Sequence, residues 1–305
     1  MSARYVLLSS CKNEQDHVAL CIESVRRQTV PPHAWVIVDD GSTDDTAAIV
    51  ESYLPSCPYL QLIRLPAGRP RSFGSKDRAI QLAYERIRHL DFDFVGVLDT
   101  DVSLETPAYY ERVLAAFAAN PSLGVAGGYV YERQGGAWRP RPINTPWSVA
   151  GCVQLFRREC FDAIGGFVPL EFGGSDTLAE LQLRMQGWET RSLDGLPVHH
   201  YRSTSSAGGV LRGYYRLGLA DASFGSHPLF MAVKCLRRIP HRPWGIGAAA
   251  LLAGYLAYRL RGGRLLIPEE VSRHLRREQL GRLAGLLRLR GDALPARVAE
   301  RPAPR

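Results

Sequence analysis

Nowhere does this 305-residue chain offer the roughly twenty consecutive apolar residues that cross a bilayer as a helix. The longest apolar run, Trp244–Leu260, falls short of that length. Its tryptophan, its tyrosines and the flanking Arg242, Arg259, Arg261 and Arg264 suit a helix that lies in a membrane interface or re-enters it. No CxxC or paired spacing occurs among Cys11, Cys21, Cys57, Cys152, Cys160 and Cys235, which excludes a zinc site or a disulfide framework of the usual kinds. These thiols are expected to be reduced and to pack as small apolar side chains. No G-x-G-x-x-G follows the first apolar segment, which argues against a dinucleotide oxidoreductase. Ser9–Glu14 contains no glycine, whereas a nucleotidyltransferase needs a glycine-rich loop with a catalytic basic residue there. Neither a basic flank nor a cleavable apolar run precedes Tyr5–Leu8, so the catalytic part is expected in the cytoplasm.

What is present divides the chain by charge. Residues 202–305 carry 19 Lys/Arg against 6 Asp/Glu, and residues 1–201 carry 19 against 24. A front at −5 and a back at +13 point to two tasks, the back facing an anionic partner. Its arginines alternate with leucines across Pro268–Arg290 in a basic amphipathic pattern, and no DNA- or RNA-binding motif occurs. An anionic membrane surface is therefore the expected partner and nucleic acid is not. Peripheral attachment to the inner face of the cell membrane follows. The same helices could instead form a subdomain packed on the core with a solvated basic face.

The first hundred residues alternate strand and helix. Apolar strands are predicted at Tyr5–Ser10, Ala34–Asp39, Tyr59–Leu65 and Phe92–Leu98, with amphipathic helices at Glu14–Gln28, Thr43–Leu54 and Ser75–Leu90. That rhythm predicts an α/β fold, a mostly parallel sheet with helices on both faces. Further on, helices are predicted from Thr106, Arg158 and Thr177, and strands at Leu123–Tyr131, Gly151–Arg157, Glu189–Leu193 and Leu196–Tyr201. Gln134–Thr145 reads as a Gly/Pro/Arg-rich loop. Two regions result, 1–205 for catalysis and a basic helical 206–305.

Carboxylates collect at the carboxyl ends of the strands, where ligands bind in parallel α/β sheets. Asp39 and Asp40 end the second strand, and Asp99 and Asp101 end a later one. Such a cluster repels itself unless a cation compensates, and hard oxygen ligands suit Mg2+ or Mn2+ bound to a diphosphate. Either motif alone is weak, since Asp39–Asp45 would also serve as a capped turn.

Together, strand, Asp39-Asp40-Gly41-Ser42-Thr43-Asp44-Asp45-Thr46, then a strand ending Leu98-Asp99-Thr100-Asp101, resemble the inverting family 2 glycosyltransferases of GT-A fold. Ser9–Glu14, Ser24–Thr29, Leu155–Arg158 with Gly165-Gly166-Phe167, and Gly173–Asp176 with Gly187-Trp188 match that family in order, over residues 4 to about 205. The resemblance implies transfer of a sugar from a nucleoside diphosphate to a hydroxyl of a saccharide or lipid-linked saccharide. It implies Asp39 at the nucleotide base, Asp99 near the ribose, and Ser9 and Glu14 in the donor site. Asp101 would hold the metal, and Asp176 would be the general base. His200 would complete the metal set, with Arg202 on the same face toward the phosphates, because His199 must point the other way. Lys76 and Arg78 would approach the diphosphate. Ser175 departs from the pattern, which has Glu before the base, and Gln182 stands where an arginine is usual. A scaffold without catalysis is the competing reading from another class. Donor choice is expected to lie in residues 68–78 and 127–150.

Overall fold

The computed structural model describes residues 3–68, 73–141, 144–202, 209–240 and 243–288. Tyr5–Cys11 (β1), Ala34–Asp39 (β2), Leu60–Arg64 (β3) and Phe94–Leu98 (β4) pair in the order β3-β2-β1-β4, all parallel. Every residue of β2 and β4 is buried, as expected of strands covered on both faces. Alternate side chains feed two separate layers. Leu7, Trp35 and Ile37 join residues of Val18–Arg26 (α1), Thr46–Tyr53 (α2) and Tyr109–Ala119 (α4) on one side. Val6, Leu8, Val36 and Val38 join Phe73–Ile87 (α3), Arg158–Ala163 (α5) and Ser175–Met185 (α6) on the other.

Beyond β4 the sheet is mixed. It continues through Val153–Arg157 (β8), Leu123–Gln134 (β6), Glu189–His200 (β9) and Val102–Leu104 (β5), and Ala137–Pro140 (β7) hairpins onto β6. β8 runs antiparallel to both β4 and β6, whereas β9 is parallel to β6. The parallel rule of the first hundred residues thus stops at β4. The two strands expected at 189–193 and 196–201 are one, carrying an irregularity opposite Gly128 and Tyr129. Gly195 takes φ 71° there, which lets the strand bulge without breaking. β7 arises inside the stretch expected to be a loop, and β5 is too short to leave a period in the sequence.

After residues 203–208, which contain the expected boundary at 205 and lie outside the described residues, the described residues form four helices. They are Val210–Ser223 (α7), Pro228–Arg238 (α8), Ile246–Leu260 (α9) and Glu269–Arg288 (α10). α7 and α9 meet through glycines. A Cβ on Gly218 would lie 2.7 Å from the Tyr255 nitrogen, and one on Gly254 would lie 2.8 Å from the Tyr215 carbonyl carbon. Ala248, Leu251 and Tyr255 are buried on this face of the longest apolar run, while Trp244, Ile246, Leu256 and Leu260 are exposed. Half of that run's hydrophobicity is therefore explained by helix packing. Among the described residues no helix is long and apolar enough to cross a membrane. α10 docks on α6 through Leu178, Leu181, Ile267 and Val271, and Arg184 Nε donates to Glu278 at 2.8 Å.

Candidate active site

The carboxyl ends of β1, β2 and β4 bring the acidic motifs together. At β2, Asp39 Oδ1 accepts from the Ser42 backbone N–H at 3.1 Å and from the Ser42 hydroxyl. Gly41 turns the chain at φ 71°, and a Cβ there would press on the Pro66–Ala67 backbone. Asp44 accepts from the Thr46 N–H at 3.1 Å, securing the start of α2. The Lys12 ammonium donates to the Asp40 carbonyl at 2.8 Å, so a cation sits against this turn.

Ser9 lies in the core beneath the strand ends. Its hydroxyl donates to the Leu98 carbonyl at 2.6 Å and accepts from the Trp35 indole at 2.9 Å, with none of the residue exposed. The serine satisfies an indole N–H in the core between β1, β2 and β4, a role that a strand-end position does not reveal. Glu14 is also buried, and its carboxylate receives Arg202 at 2.9 Å. Arg202 also donates to the Asn13 carbonyl at 3.2 Å. The pair ties the segment after β9 to the loop after β1, and the Arg202 charge still reaches Asp101.

Asp99, Asp101, His200 and Lys76 form the centre. The Lys76 ammonium lies 2.5 Å from Asp99 Oδ1, and His200 Nε2 lies 3.4 Å from Asp101 Oδ2. Burial pushes Asp99 up, and the neighbouring Asp101 charge adds to this against the pull of Lys76. Burial would raise Asp101 too, but the hydrogen bond and charge of His200 outweigh it and hold Asp101 low. His200 shows the converse. Burial alone would lower it, yet Asp101, Glu132 and Asp99 push it up to about 9. Negative charge is thus in excess here, and it favours a cation beside the imidazole.

Asp101 and His200 fit a divalent cation. Two neighbouring ligands on an octahedral ion, with bonds of about 2.1 Å, stand about 3 Å apart, close to the observed 3.4 Å. His200 Nδ1 faces Glu132 Oε1 at 3.5 Å, the carboxylate–imidazole arrangement that orients a ligating histidine. Among the described residues no set of three His, Cys, Asp or Glu is placed to hold a metal ion, so further ligands would be substrate oxygens and water. His199 points the other way, stacked on Trp138 at 3.9 Å and paired with Glu105 at 3.1 Å.

Asp176 stands in the first turn of α6, following Gly174 at φ 99°. The N-cap position is Gly174, which has no side chain, and Asp176 lies two residues further on as the acidic residue of the first turn. Sequence reasoning missed Gly151. A Cβ at that position would lie 2.6 Å from the Asp176 Cβ, so only glycine leaves room for the carboxylate. The next residue, Cys152, accepts the Asp99 backbone N–H at 2.9 Å. Residues 151 and 152 therefore touch the Asp176 side chain and the Asp99 backbone in succession.

Three more polar groups escaped the sequence reading. Ser175 donates to the buried Asp77 at 2.7 Å, and burial pushes Asp77 up to about 6. The serine that replaces the family's usual glutamate therefore faces a carboxylate supplied by α3. Glu180, one turn after Asp176, accepts from the Val149 N–H at 2.6 Å and the Ser148 hydroxyl at 2.7 Å, and burial pushes it up to about 7. Arg216 of α7 donates to the Phe172 carbonyl at 2.6 Å and feels the Asp176 charge. None belongs to a short motif, and only the fold brings them to Asp176. Of the stretches expected to shape donor choice, 69–72 and 142–143 lie outside the described residues.

Comparison with known proteins accords with this geometry. A 220-residue span is 30% identical to a beta-monoglucosyldiacylglycerol synthase of Synechocystis, covering 66% of this chain and 44% of that protein. A 121-residue span is 29% identical to a poly-beta-1,6-N-acetyl-D-glucosamine synthase of Staphylococcus epidermidis, covering 40% of this chain and 27% of the relative. The chain thus spans less than half the length of these relatives. Among solved structures, a mannosyltransferase from Pyrobaculum calidifontis in complex with GDP-Man and Mn2+ superposes with a TM-score of 0.55 at 16% identity, over 94% of this chain and 80% of that one. S. aureus TarS 1-349 in complex with UDP-GlcNAc gives 0.54 at 16% identity, over 89% and 78%. These likenesses share the GT-A fold. Residues 7–178, which hold Asp39, Asp99, Asp101 and Asp176, match the family described as glycosyl transferase family 2, and the chain belongs to that family.

Proposed function

We propose that the chain transfers a sugar from a nucleoside diphosphate sugar to an acceptor hydroxyl, with inversion at the anomeric carbon. The observation that carries this reading is the place of the Lys76 ammonium, which lies 2.5 Å from Asp99 Oδ1 and feels the Asp176 charge as well. A base and a nucleotide-binding carboxylate would then stand about one cation. Asp176 Oδ takes the proton of the attacking hydroxyl while the sugar–phosphate bond breaks on the opposite side. Asp39 would meet the base through the oxygen not engaged by Ser42, and Asp99 the ribose. Lys76, already against Asp99, supplies positive charge beside the diphosphate. Asp101 and His200 would hold Mg2+ or Mn2+, which when bound neutralises the diphosphate leaving group.

The acceptor in this reading is a saccharide or lipid-linked saccharide at an anionic membrane surface. Support comes from the basic C-terminal helices and from relatives named for glycolipid and polysaccharide synthesis. The test is calorimetric titration with UDP, GDP and dTDP, with Mn2+ and with chelator, beside an Asp101→Asn control. Metal-dependent binding of one nucleotide, lost in the control, is expected. A folded protein that binds none of the three defeats the proposal.

A further inference from the structure

A large cavity lies apart from Asp39, Asp99 and Asp101. It is a cleft of about 1510 Å³ between α7, α8 and α10 on one side and the β6–β7 hairpin with the following loop on the other. Glu132 and Thr177 line it, so it opens beside His200 and beside the residue that follows Asp176. Its position is that of an acceptor approaching the base.

The lining has two characters. Six cations, Arg139, Arg141, Lys234, Arg237, Arg238 and Arg282, face it against two carboxylates, Glu132 and Asp221. Both carboxylates already have partners, Glu132 at His200 and Asp221 at the Lys234 ammonium 2.7 Å away. Arg282 lies 5.6 Å over the ring of Trp147, which is half exposed in the cleft and offers a flat surface for a sugar. Arg238 lies 4.5 Å over Tyr214, and its buried Nε has no hydrogen-bond partner among the described residues. Thr145 Oγ1, on the facing loop, is buried and likewise without a partner. A donor and a hydroxyl left unmatched at a cation-rich cavity indicate oxyanion ligands.

The second character is apolar. Leu217, Phe224, Phe230 and Val233 line the same cleft. At its edge Val210 continues into an exposed patch with Leu211, Trp244 and Ile246, which Arg212 borders. Leu236 and Ile239 extend exposed apolar surface along α8, beside Arg237 and Arg238. Trp and Arg around exposed aliphatic side chains are the composition of a surface that meets a lipid interface.

Resting on the transferase reading above, we propose that this cleft is the acceptor site and that the acceptor is a lipid bearing a phosphate or diphosphate ester. Its phosphate meets Arg237 and Arg238, its sugar or hydroxyl end reaches Trp147 and Asp176, and its hydrocarbon leaves past Val210 and Trp244. Arg282 is paired with Glu278 at 3.2 Å, but a neutral acceptor would leave Arg139, Arg237 and Arg238 without a counter-charge among the described residues. A water-soluble anionic saccharide would make no use of the apolar wall.

The test is calorimetry on the full chain with decyl phosphate below its micelle concentration, with decyl glucoside, and with inorganic phosphate, each with and without saturating UDP. Decyl phosphate should bind at least about tenfold more tightly than either comparator, and UDP should not compete. The double variant Arg237→Gln/Arg238→Gln should weaken decyl phosphate about tenfold or more while UDP affinity stays within about twofold. Arg139→Gln, on the opposite wall, is the second variant should the double one fail to fold. It should weaken decyl phosphate in the same direction. Equal binding of decyl glucoside overturns the anionic assignment, and inorganic phosphate binding as tightly overturns the lipid. Competition by UDP, unaltered affinity in the folded variants, or no binding of decyl phosphate overturns the site. Binding of decyl phosphate without any binding of UDP would refute the transferase reading and leave the anionic-lipid site standing.

Discussion

The parallel half of the molecule and its helical half solve opposite problems. Strands β1 to β4 concentrate carboxylates at one edge, where Asp99 and Asp101 hold each other under electrostatic tension relieved by Lys76 and His200. Helices α7, α8 and α10 concentrate arginines around a cleft with few carboxylates. The two meet at α6. Its first turn carries Asp176, and its last turn carries Arg184, which joins Glu180 and Glu278 of α10. A substrate pair with a diphosphate on one side and an anionic acceptor on the other would be held by different means, an ion between carboxylates and bare guanidinium groups.

If α6 is the main junction between the halves, damage there should exceed damage within either half. Gly151→Val should push on Asp176 and lower kcat about a hundredfold, with nucleotide affinity little changed, in a transfer assay beside a nucleotide titration. An unchanged kcat would mean that Asp176 does not need the space.

Next in size is Glu180→Gln. Burial raises the Glu180 value in the folded state to about 7, so the folded chain binds this proton more tightly than the unfolded chain. The stability it contributes is complete below pH 4.5 and lost by about pH 7. The variant, having no proton to lose, should gain about 3 kcal/mol relative to the parent across that interval, measured by urea unfolding at several pH values. A difference independent of pH would contradict the burial argument.

Gly254→Val tests the independence of the helical half. Its side chain would meet the Tyr215 backbone, costing about 2 kcal/mol. Hydrogen exchange should rise in α7 and α9 while nucleotide affinity holds. Loss of nucleotide binding would show the halves to be one cooperative unit. Smallest is Asp44→Ala, which removes an acceptor from Thr46 at the start of α2 and should lower stability by about 1 kcal/mol at neutral pH. That loss should shrink in acid, because hydrogen bonds from Thr46 outweigh partial burial and hold the Asp44 carboxyl low.

The sequence made the parallel half legible because its signals are local. Ala34–Asp39 is visible as a buried run closed by two carboxylates, and the structure places strand β2 on those same residues. Strand direction beyond β4 was not legible, because period-two patterning does not distinguish parallel from antiparallel neighbours. β5 has three residues, and β7 is formed by an Ala-Trp-Arg-Pro segment. In the site, His199 and His200 could be told apart by alternation alone, and they do face opposite ways. Ser9 could not be assigned, because its partner Trp35 lies on another strand. Gly151 and the cleft arginines were illegible for the same reason, since their meaning depends on residues far along the chain, as Arg282 does on Trp147.

The measurement that bears most directly on the central claim compares the parent with Asp176→Asn in sugar transfer and nucleotide affinity on the same preparations. The account expects transfer to fall by at least about a thousandfold while the nucleotide dissociation constant changes less than about threefold. Transfer at the parent's rate by the folded variant would contradict it.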